Sequence, residues 1–362
     1  MRLLFLADSA SPHTRRWVNW FASNSHEVHL VSFNSKSEHG FSNVKIHYVW
    51  DREIPISALK RWRRSILIML RLRKLVKKLK PDVIHSHSLG AYSWSIMFLR
   101  FKPRVITPWG TDLLIDFEQS KINAFLSRKS LRSAELVTTD AFYFSEILLN
   151  LGVKQERIKR IPFGTDCSLF QPSSKSLRNE VIRIVSTRTL NPVHQVNDLI
   201  SAIPMVLKKR NDVHFVIVGG GSELNLFKNQ IQSLGLEEKV SFTGMLTEIE
   251  LVQVLRESDI YVSTSPYDAG LAASTAEAMA CGLPVIHTNT GDNFNWISES
   301  GGYLYTPGNV EDLTNSILAL LEIPQKWLRM GEVNRIKIIE NNNLSVCMIA
   351  MESEYLRLMR NS

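Results

Sequence analysis

The stretch "DIYVSTSPYDAGLAASTAEAMACGLPVIHT", from Asp259 to Thr288, decides the fold of this chain. Apolar runs at 259–264 and 284–288 are typical of buried strands, and the small residues between them have the length of a helix. A strand, a helix and a second strand in this order form the repeating unit of a parallel sheet that is covered by helices on both faces. The stretch therefore predicts an α/β fold.

The same alternation runs through the whole chain and occurs twice. The first series of strand-like runs lies at 2–7, 27–33, 82–87, 104–110 and 135–140, and the second lies at 182–188, 213–221, 240–244, 259–264 and 284–288. The break between them, "DCSLFQPSSKSLRNE", is polar and contains Pro and Ser, as interdomain linkers do. We predict a first doubly wound, Rossmann-like domain over 1–165, a linker over 166–180, a second such domain over 181–344, and a C-terminal helix over 345–362 that is free to pack back on the first domain.

Ligands of doubly wound sheets bind beyond the carboxyl ends of the strands, so we expect the two domains to face a central cleft that holds the chemistry. The "GGG" at 219–221 lies at such a strand end and precedes a helical stretch. It matches neither a GxGxxG fingerprint nor a Walker sequence. It is either a loop that a nucleotide approaches closely or a tight strand-to-helix turn.

The composition is that of a globular protein. The chain has 362 residues, of which 44% are hydrophobic, and no apolar run reaches the ~20 residues that span a bilayer. The start, "MRLLFLADSASPH", is typical of a first strand rather than of a signal peptide. Cys167, Cys281 and Cys347 are scattered and form no CxxC pair, so we expect a reduced, cytoplasmic protein without structural zinc.

Positive charge is concentrated in the first half of the chain. Residues 1–170 hold 27 Lys and Arg against 14 Asp and Glu, whereas residues 171–362 hold 16 against 21. The segment "LKRWRRSILIMLRLRKLVKKLK" (59–80) has ten basic residues and no acidic one. With a helical rotation of about 100° per residue, one stripe of it contains Lys60, Arg64, Arg71, Lys74 and Lys78. We expect this stripe to lie on an anionic membrane surface. A solvated face is the alternative, and nucleic acid is disfavoured because no recognition fold accompanies the charge.

One of the carboxylates in the opening stretch, Glu277, needs an explanation. Glu277 lies among small and apolar residues, where burial of a charge costs several kcal/mol unless a partner offsets it. The helix is expected to start near Leu271, and the free N–H groups of a first helical turn attract anions. A diphosphate bound there would place an attached ribose within reach of Glu277. The alternative is a structural glutamate that bonds to the backbone or to an arginine.

Several motifs together resemble glycosyltransferase family 4. They occur in the family's order: "HTRRW" (13–17), "PDVIHSHS" (81–88), "TPWGTD" (107–112), "IKRIPFGTDCSLFQP" (158–172), "STRTLNP" (186–192), "VIVGGG" (216–221), "VSFTG" (240–244) and "EAMACGLPVI" (277–286). This resemblance covers nearly the whole chain and implies the GT-B fold, which consists of two Rossmann-like domains. It also implies a retaining glycosyltransferase that uses a nucleotide-sugar donor, without a cofactor or a metal ion.

The resemblance further implies the site residues. Glu277 would hold the donor ribose, Arg188 the diphosphate, and His87 would lie beside the transferred sugar. With Arg188 and His87, Asp268 completes the predicted catalytic group. The other donor-binding residues would be His194, Gly219, Gly220, Gly244, Met245, Gly270, Leu271 and Ala272. The acceptor-side residues would be His13, Thr14, Trp109 and Asp112.

The chain departs from the family pattern at three points. The first glutamate of the Glu–seven residues–Glu motif falls on Ala269, and Asp268 is the candidate substitute. The family's phosphate-binding lysine falls on His194, which we expect to be protonated beside a diphosphate. The alternative is a neutral histidine that only packs in the strand-to-helix turn. The first loop, "DSASPHT", lacks the usual pair of glycines.

The predicted function is transfer of a sugar to a lipid-linked saccharide acceptor of the cell envelope, as in lipopolysaccharide or other polysaccharide biosynthesis, by a peripheral protein on the inner face of the cytoplasmic membrane. Two other classes remain open. A nucleotide-sugar epimerase shares the fold and would act on the donor alone, whereas a non-catalytic binding module would bind the donor without turnover.

Overall fold

A computed structural model describes residues 1–33, 40–49, 58–114, 120–173, 181–268 and 270–361; of residues 58–65, 111 and 114 it describes the backbone only. The chain divides into two compact units. The first contains Met1–Pro162 and Cys347–Ser362, and the second contains Phe163–Val346. Each unit is built on one parallel sheet, so the predicted α/β class with two doubly wound domains is confirmed.

The sheet of the first unit has the strand order β3-β2-β1-β4-β5-β6-β7, and all pairs are parallel. Its strands are β1 (Arg2–Leu6), β2 (Glu27–Ser32), β3 (Val44–Tyr48), β4 (Val83–His87), β5 (Arg104–Thr107), β6 (Leu136–Thr139) and β7 (Ile158–Arg160). Its first six helices are α1 (Pro12–Ser23), α2 (Ala58–Leu79), α3 (Ala91–Met97), α4 (Thr111–Leu114), α5 (Lys121–Ser133) and α6 (Phe142–Asn150). The strand order reverses between β1 and β4, so a crevice opens beyond the carboxyl ends of these two strands.

The second unit repeats this plan with the order β10-β9-β8-β11-β12-β13. Its strands are β8 (Ile182–Ser186), β9 (Val213–Val218), β10 (Val240–Gly244), β11 (Ile260–Val262), β12 (Val285–Thr288) and β13 (Gly302–Tyr305). Its helices are α7 (Asn197–Leu207), α8 (Leu224–Ser233), α9 (Glu248–Arg256), α10 (Ala273–Ala280), α11 (Asn293–Trp296), α12 (Val310–Leu321) and α13 (Trp327–Asn341). Here the order reverses between β8 and β11, which is the equivalent crevice.

The central strands are buried on both faces, which explains why they read as continuous apolar runs. β4 combines this burial with polar residues, because its buried residues include His85, Ser86 and His87. The His85 ring bonds to the hydroxyl of Tyr355 at 2.5 Å through Nδ1 and to Oγ1 of Thr107 at 2.7 Å through Nε2. A buried polar side chain in a strand is stable here because both ring nitrogens have partners.

The last helix, α14 (Leu344–Arg360), belongs to the first unit from Cys347 onward. Tyr355 is fully buried there, and Nε2 of His26 lies 2.7 Å from the Glu352 carboxylate. Residues 163–173 belong to the second unit, where Phe170 is buried in the core. The remainder of the predicted linker, 174–180, lies outside the described residues. Within the described ranges, no helix has both the length and the hydropathy to cross a bilayer.

Candidate functional site

A group of polar side chains meets at the crevice of the second unit. Arg188 follows β8, and Asp268 lies in the loop after β11. Nη2 of Arg188 donates to Oδ1 of Asp268 at 2.8 Å, and Nη1 donates to Oγ of Ser274 at 3.2 Å. The two charged side chains are only 11% and 14% exposed. The structure thus brings together two residues that the sequence places 80 positions apart.

The guanidinium is oriented from several sides. Ser274, which it contacts, also accepts a hydrogen bond from the hydroxyl of Tyr261 at 3.0 Å. The Nε–H of Arg188 is buried and has no hydrogen-bond partner among the described residues. Because a buried charged donor without a partner is costly, this atom is a candidate contact for an anionic ligand.

His194 lies in the turn Pro192–His194, with its Nδ1 3.0 Å from Nη2 of Arg188. A guanidinium has only donors, so Nδ1 must accept and the ring proton lies on Nε2. Burial and the Arg188 charge lower the pKa of His194 to about 4, although Asp268 opposes this shift. In the free protein His194 is therefore neutral and orients Arg188. The protonated form that we expect from the sequence would require a bound phosphate to reverse this pKa shift.

Sequence reasoning missed His287, which is fully buried near the end of β12. Its Nε2 lies 3.6 Å from Oδ2 of Asp268. Burial lowers the pKa of His287 to about 4, against the opposing charge of Asp268, so the ring is neutral at pH 7. The available signal was a polar residue in the apolar run "PVIHT", at the carboxyl end of a parallel strand next to β11.

Helix α10 begins at Ala273, two residues after the predicted start near Leu271. Its N-cap residue, Ala272, makes no side-chain hydrogen bond to the first turn, and Gly270 and Leu271 are buried just before it. Ala269, the position of the missing motif glutamate, lies outside the described residues. The backbone N–H groups of this first turn therefore receive no cap from their own N-cap side chain.

Glu277 lies in α10 and is 6% exposed, as expected for a carboxylate that needs a specific environment. It follows Ser274 by three positions, so the two side chains lie on the same face of the helix. Ser274 contacts Arg188. Glu277 therefore lies about one helical turn after Ser274, the residue that Arg188 contacts, and on the same face of α10.

The glycines at 219 and 221 are explained by the protein itself. Gly219 has φ +131°, and a Cβ there would lie 2.5 Å from the Arg188 carbonyl oxygen. The Gly219 N–H also donates to the Gly244 carbonyl at 2.9 Å. The glycine thus lets the loop after β9 pass close to the segment that carries Arg188. Gly220 faces Met245, whose side chain is exposed.

The crevice of the first unit has a different chemistry. His87 ends β4 and is 2% exposed, and neither ring nitrogen has a hydrogen-bond partner among the described residues. The Trp17 and Phe5 rings meet it edge-on, with centroids at 4.9 Å and 5.4 Å. Burial, with a smaller effect of His13, lowers the pKa of His87 to about 3. The ring is therefore neutral at physiological pH.

The predicted acceptor-side residues lie at the same crevice. The ring centroid of Trp109 lies 5.2 Å from that of His13 and 5.5 Å from that of His87. Burial lowers the pKa of His13 to about 4. Thr14 is buried in the first turn of α1. The Asp112 carboxylate accepts the N–H groups of Trp109 at 2.9 Å and of Leu89 at 2.7 Å. Asp112 thus ties together the loops that follow β4 and β5.

Burial raises the pKa of the Asp112 carboxyl to about 6, although the backbone N–H groups that it accepts oppose this shift. This crevice consequently offers neutral imidazoles, indole faces and a braced carboxyl group. It suits an uncharged polar ligand better than an anion. In the described ranges, no three His, Cys, Asp or Glu side chains form a cluster that could hold a metal ion.

Three residues of the predicted α2 stripe, Arg71, Lys74 and Lys78, lie on the surface. Lys74 and Lys78 are exposed, and so are Leu67 and Leu70, which precede them on the same stripe. Arg71 is also exposed, but its Nη1 donates to the Val49 carbonyl at 2.9 Å. The side chains of Lys60 and Arg64 lie outside the described residues. Over the part of α2 whose side chains the structure describes, the exposed stripe is thus apolar at Leu67 and Leu70 and basic at Lys74 and Lys78.

Comparison with known families matches both halves of the chain. The family model described as "Glycosyl transferase 4-like" matches residues 2–141, and the one described as "Glycosyl transferases group 1" matches residues 170–337. Among curated relatives, the MMP alpha-(1->4)-mannosyltransferase of Mycolicibacterium hassiacum is 29% identical over 208 residues, which is 57% of this chain. The match covers 50% of that relative's own length.

Solved structures show the same fold over the whole chain. Sucrose-phosphate synthase from Thermosynechococcus elongatus has a TM-score of 0.84 at 18% identity, with full coverage of both chains. Anabaena HepE in complex with UDP-glucose has a TM-score of 0.81 at 20% identity, covering 99% of this chain and 100% of that one. At these identities the likeness concerns the fold alone.

Proposed function

The chain belongs to the glycosyltransferases that these two family models describe, and we propose that it moves a sugar, with retention of configuration, from a nucleotide-diphosphate donor to a lipid-linked saccharide of the cell envelope. The observation that carries the proposal is the buried Arg188 cluster at the crevice of the second unit. Crevices of this kind are the usual ligand sites of doubly wound sheets.

The donor diphosphate would bind between Arg188 and the start of α10. Arg188 supplies a fixed positive charge and the unpaired Nε–H, and the uncapped first turn of α10 supplies backbone N–H groups. Glu277, one turn further along the same face, would accept hydrogen bonds from the ribose hydroxyls. A solved relative of the same fold, HepE, holds UDP-glucose, which supports a nucleotide sugar as the ligand class.

Catalysis would then be mainly electrostatic. As the bond between the sugar C1 and the diphosphate oxygen breaks, negative charge accumulates on the leaving group, and a fixed guanidinium stabilises it. The acceptor oxygen attacks C1 from the same face, and its proton passes to the departing phosphate oxygen. We assign no protein nucleophile, and the proposal requires no metal ion or other cofactor because Arg188 and the helix start provide the charge.

The crevice of the first unit would receive the acceptor. His13, His87 and Trp109 offer an aromatic, uncharged wall, which suits sugar rings that stack on apolar faces. The α2 stripe would bring the enzyme to the anionic inner face of the cytoplasmic membrane, where a lipid-linked acceptor lies. Its exposed leucines and lysines match the pattern of an interfacial helix.

Thermal-shift screening with UDP-, GDP-, ADP- and dTDP-sugars tests the proposal, because a ligand of the folded state raises the melting temperature. We expect the nucleotide sugars of one base to raise the melting temperature, and we expect Arg188→Lys to reduce this shift strongly. Lysine keeps the charge but loses the planar set of donors. Absence of a shift with every donor would contradict the proposal. With the active donor, consumption without acceptor would indicate an epimerase, and binding without turnover would indicate a non-catalytic module.

A further inference from the structure

His287 is a buried histidine that neither the family resemblance nor the proposed mechanism uses. Its Nε2 and Oδ2 of Asp268 are both buried, and neither has a hydrogen-bond partner among the described residues. These two atoms lie 3.6 Å apart. Two buried polar atoms without partners are a cost to the fold, and the cost is removed if one is a donor and the other an acceptor.

The surroundings of His287 decide which of its nitrogens carries the proton. The amide nitrogen of Asn293 donates to the Thr288 carbonyl at 3.1 Å, and a carbonyl can only accept, so the amide orientation is fixed. The same amide nitrogen lies 3.0 Å from Nδ1 of His287. Its second proton has two acceptors within reach, Nδ1 of His287 and the Thr290 hydroxyl at 3.4 Å, and Nδ1 is the nearer of the two.

The hydroxyl of Thr288 also lies near this ring. Its Oγ1 is 3.1 Å from Nδ1 of His287 and donates its only proton to the Ser265 carbonyl at 2.6 Å, so toward Nδ1 it can only accept and by itself favours a proton there. The Nε2–H tautomer is the one that satisfies both the Asn293 amide and Oδ2 of Asp268, and we assign it to the neutral ring. An N–H donor and a carboxylate oxygen consequently point at each other across 3.6 Å.

Asp268 links this donor to the diphosphate site. Its Oδ1 accepts from Nη2 of Arg188 at 2.8 Å, whereas Oδ2 faces His287. A hydrogen bond from His287 to Oδ2 would hold this carboxylate at both oxygens, which would prevent its rotation and fix the guanidinium that bonds to Oδ1. The series of contacts runs from Asn293 through His287 and Asp268 to Arg188.

We propose that His287 is a positioning residue, which holds the Asp268 carboxylate and through it the Arg188 guanidinium in the orientation that receives the donor diphosphate. This rests on the proposed function, because it assumes that Arg188 binds the diphosphate. Closure of the 3.6 Å gap to a hydrogen bond accompanies donor binding. Orienting contacts behind a binding group are a common requirement of precise sites.

Two substitutions of similar size separate this role from simple packing. Gln can place an N–H near the position of Nε2, whereas Asn replaces only the Nδ1 side of the ring. We expect His287→Asn to raise the Kd for the active nucleotide sugar and to lower kcat, each about tenfold. His287→Gln should restore most of both values. A purely structural role would lower the melting temperature of both variants without this difference.

A double-mutant cycle tests the route through Asp268. If His287 acts on Arg188 only through that carboxylate, His287→Asn should add little to the loss caused by Asp268→Asn. Additive losses would overturn the proposal, and so would parental kinetics in His287→Asn. If the parent binds no nucleotide sugar, the proposed function itself fails, which is a distinguishable result.

The unsubstituted protein provides a second test that does not depend on folding of a variant. Nitrogen-15 NMR of histidine-labelled protein reports the tautomer of each ring, and the His287 signal is identified by its loss in His287→Gln. We expect the Nε2–H tautomer, with its proton shifted downfield on addition of the donor. An Nδ1–H tautomer would overturn the proposal.

Discussion

The two crevices occupy equivalent places in two sheets of the same plan, yet they are built from opposite chemistry. The crevice after β8 and β11 contains a largely buried ion pair, Arg188 with Asp268. The crevice after β1 and β4 contains neutral imidazoles against indole rings, such as His87 against Trp17. The topology fixes where a ligand binds, and the side chains at the strand ends decide its charge.

The same contrast runs through the composition of the two halves. The first half carries the excess of Lys and Arg, but the imidazole rings that line its crevice are neutral, whereas the second half is acidic overall and holds the largely buried Arg188. Net charge therefore describes the outer surfaces and not the sites. If one crevice binds the anionic donor and the other the neutral acceptor, substitutions in the two crevices should affect different substrates.

The largest effect is expected at Arg188. Removal of one preorganised donor to a developing negative charge typically costs about 10²–10³-fold in kcat. We expect Arg188→Lys to lower kcat by this order and to weaken donor binding, because lysine cannot contact Ser274 and Asp268 in one plane. Steady-state kinetics and calorimetric titration with the active nucleotide sugar measure the two effects.

The matched control lies in the other unit. His87→Phe keeps an aromatic ring in the cage of Phe5 and Trp17 but removes both nitrogens. It should leave donor affinity unchanged and raise KM for the acceptor. If His87→Phe weakened donor binding as much as Arg188→Lys does, the proposed division between the two crevices would be wrong.

The core strands of both sheets could be predicted from the sequence because they are buried on both faces. The strand-like runs match β1, β2, β4, β5, β6, β8, β9, β10, β11 and β12. The missed strands, β3, β7 and β13, all lie at sheet edges. β7, "IKR", is buried at one residue only, so it lacks the continuous apolar run on which the other predictions depend.

The site was predicted unevenly for a related reason. Arg188, Asp268 and Glu277 were predicted as site residues because motifs mark them, and the structure brings the first two into direct contact. His287 carries no motif, and its role depends on contacts with Asn293 and Asp268 that only the folded chain brings about. The glycines of 219–221 were recognised, but the close approach of the Arg188 backbone that requires Gly219 could not be read from the sequence.

A smaller effect is expected at Glu277, whose substitution tests whether the crevice of the second unit binds the nucleotide of the donor. Loss of a charge-assisted hydrogen bond costs roughly 1.5–3 kcal/mol. Glu277→Gln should therefore weaken binding of the nucleotide by this amount while the melting temperature of the free protein stays close to the parent's. Titration with the nucleoside diphosphate measures it. Unchanged affinity in a folded variant would make Glu277 a structural carboxylate.

The surface of the first unit allows a test that does not involve either crevice. Each basic residue near an anionic bilayer contributes about 1 kcal/mol, and salt screens this attraction. Changing Lys74 and Lys78 to Gln should reduce sedimentation with phosphatidylglycerol vesicles, and changing Leu67 and Leu70 to Ser should reduce it further. Soluble-acceptor kinetics serve as the control. Equal vesicle binding by all variants would refute membrane docking through α2.

The smallest effect concerns pH and His194, and here the expected outcome is a flat profile. The pKa of His194 is about 4 in the free protein, because of burial and Arg188, so the ring is neutral throughout pH 6 to 8.5. Its Nδ1 accepts a hydrogen bond from Arg188, and protonation of the ring at Nδ1 would break that bond. A bound diphosphate favours the cation, but it also strengthens the need for a correctly oriented guanidinium. Donor affinity should therefore not change with pH in this range.

A nucleotide sugar is the suitable probe, because its diphosphate is esterified at both ends and lacks the phosphate pKa of about 6 that free monoesters have. His194→Ala should weaken binding equally at all these pH values, since it removes an acceptor from Arg188 rather than a charge. If the donor instead raised the pKa of His194 into this range, affinity would be full at low pH and would fall as the pH rises through the raised value. A fall of this kind in the parent, absent from His194→Ala, would show that histidine replaces the family's lysine as a phosphate-binding cation.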